Sequence, residues 1–459
     1  MDLDWHSLDR WMMGEAWTGS SIGAHLAVLC EEIGPRWSSS EAEWAAIRYL
    51  RGQMEQAGLA YVAKEPYTID TWSWSKAEAR VVEDGRAIDL LPFNRCPPID
   101  VQSAIVDVGY GTPREVEDAW ERLPGAMAVI ALGLEPFTTP QPLSVRLVQL
   151  AQAGAIAAVV VEAKSGRRIE YHSAGEWRTP RVSGHPLPTV ATSREDGALL
   201  RRLARTGKAL HLHVDSRFYS APSANVAGML AGERWPGEEL VLGGHHDTVY
   251  GSPGGNDNAS GTIAVIEVAR VLAALRAETG VAPGRTIRFA TFGGEEQKFQ
   301  GAYAFVERHY GDGTRPRLVL NLDELSTGRM KGLVLAFPHL RDLVQRQLEA
   351  MGDGLKCHVM AQLDPTSDHY PFLRAGIDAA FAWRWRFFGR HADAEYHHEP
   401  GDTADKVDVP QLKETIGQLA RLLLRLSHVP PEEWPENPLT AELVQARLER
   451  ERGSVVRVF

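Results

Sequence analysis

The stretch 239–296, ELVLGGHHDTVYGSPGGNDNASGTIAVIEVARVLAALRAETGVAPGRTIRFATFGGEE, decides the architecture. Glu239–Gly243 reads as a short apolar strand, and Gly261–Leu275 as a helix apolar nearly all round. Thr286–Phe292 reads as a second strand, and the loops between are rich in Gly, Asn and Asp. The alternation continues through a strand at Leu318–Leu322 and closes on an amphipathic helix at Val409–Leu426. Strands alternating with helices imply an α/β fold, with a mostly parallel central sheet and helices on both faces. In such sheets ligands bind beyond the carboxyl ends of the strands. The polar residues of the quoted stretch fall at those ends.

Working outward, Ser40 begins a helix with a capping-box pattern, its partner being Glu43. Trp44, Ile47, Leu50 and Met54 recur at helical spacing, and Gly58 stops the run. Tyr61–Ser73 then reads as extended. From 75 to 216 the character changes. Short apolar strands (Ala126–Leu132, Ala155–Val161) alternate with a helix at Val145–Ala153 and with Gly- and Pro-rich loops. This block has no His, Asp and Glu cluster at ligand spacing, so it reads as an inserted, non-catalytic domain. The expected division is 1–74 and 217–459 for the two parts of the main domain, and 75–216 for the insert.

The chain has 459 residues, 44% apolar and 24% charged, the balance of a globular protein in two domains. A net charge of −11 argues against nucleic acid or an anionic membrane as partner. Cys30, Cys96 and Cys357 are few and far apart, so no disulfide framework is implied. The first residues lack a signal-peptide pattern, and no apolar run is read as approaching membrane-spanning length. A cytoplasmic location is expected, and a homo-oligomer is left open.

Four strand ends or helix entrances and one late loop carry metal-type side chains. The first strand ends Gly243-Gly244-His245-His246-Asp247, where the imidazole of a His-x-Asp pair binds metal and the carboxylate orients the ring. Asp257 sits in Pro253–Gly261, at the entrance of the apolar helix, where a helix cap is the simpler use of an Asp. The next strand ends Gly293-Gly294-Glu295-Glu296. Adjacent carboxylates repel unless a cation or proton intervenes, so one binds metal and the other moves protons. Asp323-Glu324 follows the strand Leu318–Leu322, and His397-His398-Glu399-Pro400-Gly401-Asp402-Thr403 precedes the helix at Val409–Leu426, which Asp402 or Thr403 is placed to cap. Each piece alone has a plain structural reading. Two His and three carboxylates at one sheet edge do not. Mixed imidazole and carboxylate ligands suit zinc, with cobalt or manganese as alternatives, and the charge balance favours two ions over one.

In this order His245-x-Asp247, Gly254–Gly261, Gly293–Glu296, Asn321-Leu322-Asp323 and His398-x-x-x-Asp402-Thr403 resemble the cocatalytic zinc exopeptidases of the bacterial leucyl aminopeptidase and glutamate carboxypeptidase type. Ser367-Asp368-His369 looks like that family's late segment, and Ile33-Gly34-Pro35-Arg36 matches more loosely. The middle block resembles a protease-associated domain. The resemblance implies a three-layer sandwich and two Zn²⁺, with Asp257 bridging them by way of a cis peptide to Asn258. It implies His245 and Asp323 completing one site, Glu296 and His398 the other, and Glu295 as general base. Asp247 then supports catalysis by holding His245. The residue before the last ligand, usually Tyr, is His397 here. Tyr396 is adjacent, and which of them stabilises the oxyanion stays open.

The implied substrate is a short peptide or small amide, and the implied enzyme an aminopeptidase or dipeptidase. A deacylase of the same fold, a receptor-like binding protein and a single-zinc glutaminyl cyclase relative are the alternatives. For specificity, Phe381, Trp383 and Trp385 share one strand face and Arg384 and Arg386 the other. The aromatic face predicts an apolar pocket, and the same rings serve equally as core packing.

Overall fold

The computed structural model describes residues 3–133, 141–173, 186–326, 328–384, 396–436 and 438–451. The chain forms two compact units. The first comprises residues 1–69, 222–389 and 400–459, and the second 70–221 and 390–399. The insert thus begins and ends within a few residues of the sequence division, and it also takes in the segment that carries His397 and His398.

In the first unit the sheet runs in the order Lys356–Val359, Met330–Leu335, Ala379–Arg384, Leu318–Asn321, Trp235–His245, Arg285–Phe292 and the second half of Ala209–Leu230. The central four strands, Ala379–Arg384 through Arg285–Phe292, are parallel. Met330–Leu335 and Ala209–Leu230 flank them antiparallel, so the sheet is mixed rather than wholly parallel. One face carries Gly261–Thr279, Val409–His428, Trp5–Thr18 and Glu41–Gln56. The other carries Gln300–Tyr310 and His369–Arg374, packed through Phe305 and Phe372 on Phe292. Trp385 and Arg386, part of the expected aromatic strand, lie outside the described residues.

The stretch Gly255–Thr279 is long and apolar enough to cross a membrane, which corrects the expectation that no run is. It is instead the core of this unit: Ile263, Val265, Val268, Val271 and Leu275 are fully buried. Truncating Ile263 or Leu275 to Ala removes about 2–5 kcal/mol. The Ser40 cap forms as expected, its Oγ accepting from Glu43 N–H at 3.1 Å. The reciprocal half of the capping box does not form. Ser39 turns through φ +74°, and its N–H, not that of Ser40, meets the Glu43 carboxylate.

In the second unit Ile99–Asp107, Met127–Ala131, Ala157–Val161 and Thr189–Thr192 form parallel neighbours, with the first half of Ala209–Leu230 and Leu90–Pro92 antiparallel at the edges. Leu143–Gln152 and Pro113–Ala119 close a separate core around Ala128, Ile130, Leu147 and Val160.

Candidate metal centre

Strand register brings the ligand-bearing loops together. Phe292 lies level with His245, and Asn321 level with Gly243, so 293–296 and 322–323 leave the sheet beside His245. Two glycines let these loops touch. A Cβ on Gly244 or Gly261 would stand 2.4 or 2.3 Å from the Leu322 carbonyl oxygen, inside any tolerable contact. The Asp257–Asn258 peptide is cis, as the resemblance implies. Asn258 ties the turn down: its Nδ2 donates to Leu322 O at 2.9 Å, and its Oδ1 accepts from Gly261 N–H at 2.9 Å and Glu324 N–H at 3.2 Å.

Asp402 holds the same turn from the other side. Its carboxylate accepts the N–H groups of Asn256 at 2.8 Å and Asp257 at 2.9 Å. It does not cap the helix Val409–His428, and neither does Thr403. A short turn at Ala404–Lys406 intervenes, and Asp408 takes the role by accepting from Gln411 N–H at 3.0 Å. Burial, with Asp257 and Glu324 nearby, pushes the Asp402 carboxyl up to about 7 against the pull of its two backbone bonds. Arg36, 1% exposed, knits the loops to the N-terminal segment. It donates to the carbonyls of His246 at 2.9 Å, Pro253 at 2.7 Å and Leu29 at 2.8 Å.

His245 stands at the middle, 1% exposed. Its Nδ1 lies 3.1 Å from the backbone carbonyl of Asp247 and 3.5 Å from that residue's carboxylate. The main chain, more than the side chain, therefore orients the ring, because the loop turns its carbonyl back beneath it. With Nδ1 as donor, Nε2 directs a lone pair at Asp257 Oδ1, 3.2 Å away, Asp323 Oδ1, 3.4 Å, and Glu295 Oε2, 3.9 Å. A lone pair facing carboxylate oxygens requires a cation or a proton between them. Burial alone would hold the imidazolium pKa down, yet Glu295, Asp323, Asp247 and Asp257 drive it well above the ordinary value. Zinc bonds of about 2.0–2.2 Å in tetrahedral array put ligand atoms roughly 3.3–3.6 Å apart. The separations to Asp257 and Asp323 lie close to this range, that to Glu295 lies beyond it, and the donor types are those of zinc.

The donor atoms fall into two overlapping sets, His245 with Asp257 and Glu296, and His245 with Glu295 and Asp323. Both Glu295 and Glu296 thus come within reach, and distance alone does not divide their roles. Burial pushes the Glu295 carboxyl well above the usual range; His245 opposes this, while Glu296, Asp368 and Asp323 add to it. Asp368, fully buried with neither oxygen hydrogen-bonded, faces the same charges and is raised likewise. It was legible only as part of Ser367-Asp368-His369.

The carboxylate of Asp247 has other partners. Oδ1 accepts from Glu295 N–H at 3.2 Å, and Oδ2 from Glu296 N–H at 3.3 Å and Ser38 Oγ at 2.7 Å. Ser38, Asp402 and Asp368 are site residues that pattern reading passed over. Asp402 and Asp368 stood inside recognised segments. Ser38 carried no local signal, since its partner is 209 positions away.

His397 and His398 belong to the second unit, where their rings stack 3.7 Å apart. His398 Nδ1 lies 3.1 Å from Tyr171 O, and Tyr171 N–H donates back to His398 O at 2.9 Å. Glu399 is gripped by Arg168 Nε at 2.6 Å and Lys164 Nζ at 2.6 Å, and the Arg168 guanidinium lies 4.7 Å over the Tyr396 ring. Glu170 joins the two histidines in a set able to hold a cation. The middle block, read as lacking any such cluster, therefore supplies Glu170. Phe381 packs against His369 with centroids 5.5 Å apart, and Trp383 against His358 at 4.4 Å.

The chain is similar in sequence and fold to known proteins. Carboxypeptidase Q of Bos taurus is 22% identical over 84% of this chain and 81% of its own length. An aminopeptidase of Bacillus subtilis is 25% identical over 85% of this chain and 80% of its own. A solved structure of a peptidase M28 precursor from Shewanella amazonensis superposes with a TM-score of 0.75 at 20% identity, covering 94% of this chain and 98% of that one. A zinc aminopeptidase from Bacillus subtilis gives 0.70 at 22%, covering 91% and 97%. These likenesses extend the fold over nearly the whole chain. Residues 225–423, which contain His245, Asp257, Glu295, Glu296 and Asp323, match the profile of peptidase family M28. Over this part the chain is similar to peptidase family M28.

Proposed function

We propose that this chain is a two-zinc exopeptidase of short peptides, an aminopeptidase or dipeptidase. The observation that carries the reading is His245, its Nε2 buried and aimed at carboxylate oxygens 3.2–3.9 Å away while Nδ1 is held by Asp247. His245, Asp257, Glu296 and Asp323 are the proposed ligands, with Asp257 shared. His398 is proposed as the fifth on its place in the His-x-x-x-Asp-Thr pattern. Bound zinc would lower the pKa of a coordinated water and polarise the scissile carbonyl. Glu295 would take the proton of the attacking water and hand it to the leaving amine. The names of the relatives, an aminopeptidase and a carboxypeptidase, support peptide substrates. The parallel strand–helix pattern of the second unit supports the protease-associated reading of the insert. Cys30, Cys96 and Cys357 are buried free thiols, in keeping with a cytoplasmic location.

The test is to assay the zinc-loaded protein against aminoacyl-anilides, dipeptides and N-acyl amino acids. Turnover of free-amino substrates supports the reading. Turnover of N-acyl amino acids alone would replace it with a deacylase.

A further inference from the structure

We infer that Ser38 is a positioning residue for Glu295, acting across the fold from the N-terminal segment. The inference rests on the reading of Glu295 as base and adds the device that sets its place.

Three successive backbone N–H groups, those of Gly294, Glu295 and Glu296, point into the protein and are received by only two side chains. Gly294 N–H donates to Ser38 Oγ at 2.9 Å. Glu295 and Glu296 N–H donate to the two oxygens of Asp247 at 3.2 and 3.3 Å. Ser38 Oγ closes the ring by donating to Asp247 Oδ2 at 2.7 Å. One hydroxyl therefore uses both its capacities at the hinge between the end of the strand and the base. Ser38 and Asp247 are both fully buried, so no solvent competes for these bonds.

The turn needs such a tether. Gly294 adopts φ +68°, and no space exists behind it: a Cβ there would stand 2.8 Å from Ile69 Cδ1 and 3.0 Å from the Tyr67 hydroxyl. The Gly293 carbonyl accepts from Gly301 N–H and the Gly294 carbonyl from Gln300 N–H, both at 2.9 Å, and Ser38 holds the Gly294 N–H. Asp257 and His245 have separate supports. Asp257 is held through the Asn256 and Asp257 N–H groups on Asp402, and His245 through the Asp247 carbonyl. Loss of the Ser38 hydroxyl leaves those intact. It orphans the Gly294 N–H and removes one of the three hydrogen bonds that hold the Asp247 carboxylate, the acceptor of the Glu295 N–H. A shift of about 1 Å in a reacting group is worth on the order of a hundredfold in rate.

Ser38→Ala and Ser38→Cys separate hydrogen bonding from packing. Cysteine nearly conserves shape but donates weakly. Both variants are expected to lose ten- to a hundredfold in kcat, with KM within twofold and bound zinc unchanged. Packing alone would leave Ser38→Cys near wild type, which would overturn the inference. So would a Ser38→Ala protein retaining more than half of kcat, or zinc content falling in step with activity. If Ser38→Ala fails to fold, the cysteine variant gives the same readings. Glu295→Gln is measured alongside. If it stays active, Glu295 is not the base and the inference falls with that reading; if it is inactive while both Ser38 variants are normal, only the inference falls.

Discussion

Replacing Asp402 with Ala should weaken the hold on Asp257 and with it both stability and zinc affinity. Asp402 is 1% exposed, and its carboxylate accepts two buried backbone N–H groups at 2.8 and 2.9 Å. Each orphaned buried donor costs about 1–3 kcal/mol, giving roughly 2–6 kcal/mol in all. One term offsets this. The carboxyl pKa of about 7 shows that burial and neighbouring carboxylates make its ionised form costly. Removing the group relieves that cost, so the net loss should fall near the low end, about 2 kcal/mol. Outer supports of this kind are worth roughly 10–100-fold in metal affinity. Urea unfolding of the metal-free proteins measures the first quantity, and competition with a chromogenic chelator the second. Asp402→Asn keeps the volume but offers one acceptor oxygen, so it should lie between wild type and Ala in both assays. Midpoints and zinc affinity of Asp402→Ala equal to wild type would refute the argument, because the two N–H groups would then have needed no partner.

Glu295→Gln should keep its zinc and lose several orders of magnitude in kcat, whereas Glu296→Gln should lose metal first; zinc content measured beside kcat decides, and more than about a tenth of wild-type activity in Glu295→Gln counts against proton transfer. Glu267, 1% exposed, accepts from Ser21 N–H at 3.2 Å and Arg270 Nε at 2.9 Å and lies 3.1 Å from His25 Nε2. Although burial opposes it, these partners depress its pKa below the ordinary value of 4.5. Its stabilisation is therefore complete above about pH 4.5 and lost as pH falls through the lower folded value. Glu267→Gln should be less stable than wild type at pH 7, with the gap narrowing in unfolding curves taken between pH 5 and 3; a constant gap would show that charge is not the cause. Trp383 stands two residues beyond Phe381, which pairs with Asn321, so it reaches the level of Asp323. If it lines the pocket, Trp383→Ala should shift the kcat/KM ratio of Phe to Ala substrates at least tenfold. An unchanged ratio assigns the ring to packing against His358.

The sequence by itself determined the order of elements and the identity of the metal-type residues. Periodicity marked the helix after Ser260 and the strands ending at His245, Phe292 and Asn321, because each is a local consequence of apolar spacing. Strand ends in a parallel sheet share an edge, so His245, Glu295, Glu296 and Asp323 follow from the sequence as neighbouring metal-type side chains. Tertiary structure alone decided what holds them. Glu43 leaves its expected capping partner because the Ser39 turn offers another N–H, and Asp402 leaves the helix Val409–His428 because a turn separates them. Ser38 meets Asp247, and Arg36 reaches the His246 and Pro253 carbonyls, across more than two hundred residues. A buried donor or acceptor takes whichever partner folding brings within about 3 Å, and spacing along the chain carries no record of that choice.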